Sequence, residues 1–411
     1  MNEKKKIINY DYSPLILISI YICLTYALYL IFQKPSGILS LIFMSIVGVS
    51  VVLGYLTPVK RWHQKKATMR KNIEKYDYNV NFIVNICSMI VILYSINFLL
   101  SYYDSLSDIF YYVQNPGRAY EYIKLLNKNP ELNISGGGFG SLISIFLTLS
   151  TLSKYIVISF SIIYWKKFKL YTKIMIFISI VMYLIYALCI GSMITIGSML
   201  ISSIPALIYM NKLKFKNKLK ILFVVISAIG GIYFLISNRI GSGSTFSDSI
   251  LTIFFYVSHG YTGLEYALKL PFEFTYGFST FRGISSYLVE IFGLHDFSQG
   301  SYLVRNQIQN GWPALSVWST VFPWLASDIS FYSIPILMFI LAYILSVTWN
   351  NTLLTKSPYG FLLTGQFFIF WFMIPSNNQL FHTLENSVAF FTAVILYVFS
   401  EIKRKSREKI D

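Results

Sequence analysis

Runs of about 20 apolar residues recur from one end of the chain to the other, separated by short segments rich in Lys and Arg. A helix rises about 1.5 Å per residue, so runs of this length cross the roughly 30 Å hydrocarbon core of a bilayer. They cover 13–33, 37–57, 80–100 and 139–164. Positions 174–210 are mostly apolar, too many for one crossing, and divide at a tight turn in GSMITIGSM. Further runs at 221–237, 331–349, 359–375 and 386–401 complete an expectation of about ten spans. The predicted fold is all-α, a polytopic integral membrane protein with one transmembrane domain over 1–411. The first run is too long for the apolar core of a cleavable signal peptide and is followed at once by another, so it is expected to stay as a span.

Two polar stretches interrupt this pattern. The first, 101–137, has amphipathic helical character in YDSLSDIFYYVQ, a breaker at NPG and a flexible ISGGG end. The second, 238–330, holds Arg239, Arg282, Arg305, His259, His295, Asp296, Glu265, Glu290 and Asp328, with Gly, Trp and Tyr between them. Within it, ILTIFFYVSHGYTGLEYAL at 250–268 is apolar but broken by His259, Gly260 and Glu265, which predicts a re-entrant or interfacial helix facing protein or water. Any chemistry is expected in 238–330.

Composition agrees with lipid as the main solvent: 55% of the 411 residues are hydrophobic and 13% charged, against about 25% charged in soluble domains. The formal charge of +16 sits in short loops rather than on a folded basic face, so it reads as topology and anionic headgroup contact, not nucleic-acid binding. Ten spans put both termini on one side. They place 25 of the 34 Lys and Arg in cytoplasmic segments, eight outside and Lys154 within a span. Cys23, Cys87 and Cys189 lie far apart in apolar runs and suggest neither a disulfide frame nor a zinc site. No His or Cys spacing supplies a metal, no cofactor is implied, and no phosphate-cradling Gly-rich loop supports nucleotide-driven transport.

Lys outnumbers Arg 26 to 8, yet outside the ratio is 4 to 4. Arg grips phosphate oxygens with a planar, always charged fork. The outer arginines therefore point to an anionic ligand or, alternatively, to ion pairs with outer carboxylates. Lys154, about 15 Å deep by helix rise, should face a hydrated cavity or anionic headgroup, or snorkel along a tilted helix. Aromatic residues near Trp312, Trp318 and Trp324 read as an interfacial belt or as sugar-stacking platforms.

The order of these features resembles the Wzy-type polymerases of O-antigen and capsule repeat units. The resemblance rests on FFYVSHGYTGLEYAL after the seventh apolar run, on YGFSTFRGISSYLVEIFG with Gly277, Thr280 and Phe281, and on WSTVFPWLASDIS with Trp318, Thr320 and Asp328, just before a span. It covers about 170–350. Arg282 and Gly293 also match an Arg, ten residues, Gly spacing seen in an outer loop of some members. Two features depart from the family: Ile329 and Ser330 follow Asp328 where Phe-Gly is usual, and GSMITIGSM lacks the Gly followed by Arg that many members carry.

The resemblance implies a metal-independent glycosyltransferase of the bacterial cytoplasmic membrane. It would transfer a growing glycan from undecaprenyl diphosphate to a hydroxyl of the next lipid-linked repeat unit, with chain-length regulator and flippase proteins as partners. Arg282, Arg305 and Arg239, with Lys154, are then the candidates for stabilising the diphosphate, and His259, Glu265, His295, Asp296 or Asp328 for the base, with His259 or Glu265 favoured. A glycan ligase using the same donor and a lipid-linked oligosaccharide flippase are the alternatives.

Overall fold

A computed structural model describes residues 11–33, 38–69, 79–128, 140–211 and 246–407. Arg239 and the apolar run 221–237 lie outside them. Helices dominate the described residues, and none of these residues forms a strand. Among the described residues seven helices are long and apolar enough to cross a membrane, which marks the chain as membrane-embedded. Contacts divide the chain into two compact units, one of residues 1–76 and 254–411 and the other of 77–253.

In the first unit, α1 (Ser13–Phe32) and α2 (Leu39–Met69) match the first two apolar runs, and α2 continues through Pro58 into the basic segment expected as loop. α14 (Ile334–Thr355), α15 (Pro358–Met373) and α16 (Leu384–Arg407) match the last three runs. At 16 residues α15 falls short of the seven, and it is buried on every face, Phe361, Phe368 and Trp371 included. A helix apolar all round is what a central position requires.

Between α2 and α14 lies the polar stretch, folded into short helices: α9 (Phe246–Ser258), α10 (Gly260–Ala267), α11 (Arg282–Phe292), α12 (Tyr302–Asn310) and α13 (Val321–Ile329). α9 and α10 break at His259, as the polar interruption predicts, and neither is long enough to cross a bilayer. α10 to α13 cap one end of the first unit, to which only residues 254–258 of α9 belong. There Tyr26 of α1 meets Ser40 (3.3 Å), Phe43 of α2 packs edge-on against Phe322 and Phe331, and the Ile374 carbonyl after α15 accepts the Val321 N–H at 2.9 Å.

The second unit holds α3 (Val80–Tyr102), α4 (Leu106–Gln114), α5 (Pro116–Lys128), α6 (Gly140–Tyr164), α7 (Leu170–Ile190) and α8 (Met193–Asn211). The long run divides where expected, at Gly191, whose φ of 65° lies in the left-handed region that favours glycine. The NPG breaker separates α4 from α5, with Pro116 at the first helical position. α4 is N-capped by Ser105, whose hydroxyl accepts the Asp108 N–H. α3 packs on α7 through Val91, Tyr94, Tyr183 and Tyr186.

Candidate functional site

Asp328 shapes the site. Its buried carboxylate accepts the Gly277 N–H at 2.7 Å, the Thr280 N–H at 2.6 Å and the Thr275 hydroxyl. A charged acceptor makes these the strong kind of hydrogen bond. They bend 275–281 into a tight turn, with Gly277 at φ 84°, that delivers Arg282 to the start of α11. With its oxygens taken up by this turn, Asp328 serves as a frame for the site rather than as a base open to substrate. The Arg282 to Gly293 spacing is the length of one helix: Arg282 is its first residue and Gly293, at φ 62°, its C-terminal stop.

Arg282 Nη1 contacts both oxygens of Asp296, at 3.1 and 3.2 Å, and the Ser298 hydroxyl. Burial raises the Asp296 carboxyl, but hydrogen bonds from Ser298 and the Arg282 charge outweigh it and hold the group below the usual carboxylate range. Arg282 Nε and Nη2 take no partner among the described residues, and the side chain is 34% exposed. It lines a cleft of about 180 Å³ with Ser279, Ser298, Gln307, Leu303 and Trp324. The indole N–H of Trp324 and the hydroxyl of Ser279 are buried without a partner among the described residues. A buried donor left unsatisfied costs about 1–3 kcal/mol, so both favour a ligand or water that reaches them.

Arg305 is used differently. It is buried, Nε donates to the Gly300 carbonyl at 2.9 Å, Nη1 pairs with Glu273 at 3.1 Å, and the guanidinium lies 5.0 Å from the Tyr302 ring centre. Nε and Nη1 serve the cap, in keeping with the ion-pair alternative for the outer arginines, while Nη2 is buried without a partner among the described residues.

His259 pins the cap together. Nδ1 faces the Phe255 carbonyl at 2.9 Å and Nε2 meets the Val317 carbonyl, so neither ring nitrogen is presented to a substrate. Burial lowers its proton affinity against the raising effect of these carbonyls. Next to it, Gly260 lies so close to the Pro375 carbonyl and the Thr320 N–H that a Cβ has no room. Glu265 is buried and turned toward α1, where it accepts the Tyr29 hydroxyl; Lys269 Nζ lies 3.9 Å away. Lys154, in the second unit, is also buried: its Nζ donates to the Tyr183 hydroxyl at 2.8 Å and lies over the Tyr155 and Tyr183 rings. This aromatic, hydroxyl-bearing pocket takes the place of the expected cavity or headgroup.

Sequence reasoning passed over the loop 374–383. Asn378 donates to the Thr280 carbonyl at 2.7 Å, and the Phe381 carbonyl accepts the Gly283 N–H at 2.9 Å, so the loop braces the Arg282 turn from behind. It also brings in His382. This imidazole sits between Trp318 (ring centres 5.5 Å apart) and Trp324 (5.4 Å). Burial, with the Arg282 charge adding to it, pushes its pKa down to about 4. Neither ring nitrogen has a hydrogen-bond partner among the described residues. The signal was present as SNNQLFHT, a polar run between two apolar ones, but nothing local ties it to Arg282.

No protein-family profile, curated protein or solved structure matches the chain.

Proposed function

We propose that this chain is a polymerase that joins undecaprenyl-diphosphate-linked oligosaccharide repeat units into a surface polysaccharide at the outer face of the bacterial cytoplasmic membrane. The observation that carries the reading is Arg282, held by one edge on Asp296 and Ser298, with a neutral His382 packed against Trp324 of the same cleft. The seven long apolar helices, the two shorter ones at 194–210 and 358–373, and the apolar run 221–237 make ten spans with both termini inside. This topology puts the Arg282 cleft outside and satisfies the Lys and Arg bias.

In this reaction the acceptor sugar hydroxyl gives its proton to His382. Its oxygen bonds to the anomeric carbon of the donor glycan as the bond from that carbon to the diphosphate oxygen breaks. The electron pair leaves with the diphosphate, whose added charge falls on the open edge of Arg282. Holding both lipid-linked ends at one cap supplies further rate by proximity. His382 replaces His259 and Glu265 as the base because neither of its nitrogens has a hydrogen-bond partner among the described residues, whereas His259 and Glu265 are engaged. Arg305 and Asp328 hold the frame.

Arg282→Ala is expected to abolish long polymer while single lipid-linked repeat units accumulate. Wild-type chain lengths from normally inserted Arg282→Ala protein would overturn the proposal. Gel analysis of the glycan in a deletion strain separates the alternatives. A surface product of single units supports a polymerase; intact polymer that never reaches the surface supports a ligase; units trapped inside support a flippase.

A further inference from the structure

Residues 271–275 run without helix between α10 and the Asp328 turn. Glu273 pairs with the buried Arg305, and Thr275 donates to the buried Asp328. Beside them Phe272, Phe274 and Tyr276 stand outward, 46, 52 and 61% exposed. Their rings form a continuous row, with centres 6.4 Å apart for Phe272 and Phe274, 4.6 Å for Phe274 and Tyr276, and 4.7 Å from Tyr276 on to Phe297. The chain thus fastens this segment by one buried contact, Thr275 to Asp328, and one half-exposed ion pair, Glu273 to Arg305, and leaves a strip of aromatic rings uncovered.

We propose that this strip docks into the headgroup and upper acyl region of the bilayer and fixes the height of the cap above the membrane. Three observations select lipid as the occupant. The segment is fastened to Asp328, three residues before Phe331, where a membrane-length apolar helical segment begins. At that same helix head Tyr332 is almost fully exposed and Phe331 packs against Tyr302 of the cap, so further aromatic surface lies at the same level. The one charge in the strip, Glu273, is half-exposed and paired through one oxygen with Arg305 at 3.1 Å, so docking at the headgroup level meets an ion pair rather than a lone carboxylate. Aromatic rings with an occasional hydroxyl are the side chains that favour the membrane–water boundary. Ser298 of the Arg282 cleft directly follows Phe297 of the strip, so docking would hold that cleft near the headgroups. The proposal stands without the catalytic reading.

The test uses full-length protein in nanodiscs of phosphatidylcholine brominated either high or low on its acyl chains. Phe274→Trp adds an indole whose emission is read as the difference from wild type, and Phe272→Trp repeats the measurement in case one site accepts Trp poorly. Lipid docking predicts that roughly half or more of the added emission is lost, with bromines near the headgroup the stronger quenchers, as for side chains seated at the acyl boundary. Emission untouched by either lipid but quenched by aqueous iodide overturns the proposal. So does emission untouched by bromolipid that surface polysaccharide shields from iodide, an outcome that would assign the strip to glycan.

Discussion

Asn378 donates its side-chain amide to the Thr280 carbonyl at 2.7 Å, joining positions 98 residues apart. That single bond draws the 374–383 loop under the turn that carries Arg282, and His382 comes with it. The guanidinium and the imidazole are brought together by a structural amide, which gives each of them a distinct expected phenotype.

His382 should leave a mark on pH dependence. Its pKa of about 4 in the folded protein lies below the ordinary 6.5, so as pH falls the unfolded chain takes up the proton first. The stability tied to this group is whole above about 6.5 and is lost between there and about 4. His382→Gln should flatten thermal stability across that window relative to wild type. If His382 is the base, polymer formation should also fall off near pH 4 rather than 6.5.

Asp328 should behave as a framework residue. Asp328→Ala removes the acceptor for two backbone N–H groups and a hydroxyl, and is expected to cost about 3 kcal/mol. Asp328→Asn keeps one acceptor oxygen but sets an NH2 group against a donor, and should lose less. Thermal unfolding in detergent ranks the three proteins. If both variants melt with wild type, the turn does not depend on this carboxylate.

Ser330 is strained. Its φ of 67° and ψ of 156° belong to a region that only glycine enters freely. Ser330→Gly is expected to stabilise the protein by about 1 kcal/mol, after the extra entropy that glycine gains when unfolded. An unchanged or lower melting temperature would argue against the strain.

Gly260 should not tolerate a methyl group. Gly260→Ala forces the Pro375 carbonyl and the Thr320 N–H apart, both of them backbone, and is expected to cost about 2 kcal/mol. The shift should also loosen the 374–383 loop. Amide exchange there, measured by mass spectrometry, should rise more than exchange in α14.

The sequence by itself determined the helices and where they stop. Runs of apolar residues located α1, α3, α7, α14 and α16 to within a few residues, Gly191 divided the long run, and Pro116 separated α4 from α5. His259 and Gly260 broke α9 from α10 as read. Each of these depends on neighbours along the chain, through hydropathy over one crossing or the φ of one residue, and so each is legible locally. Only the tertiary structure decided what the polar residues do. Asp328 and His259 looked available because sequence shows a residue type and not its partners; folded, their hydrogen-bonding atoms are spent on the Thr275–Thr280 turn and on two carbonyls, and Arg305 gives Nε and Nη1 to Gly300 and Glu273. Arg282 stayed open, and His382 was brought beside it by contacts nearly a hundred residues apart in sequence. Apolar helix faces can pack in many ways, so which loops meet at their ends is set by the packing and not by any local pattern.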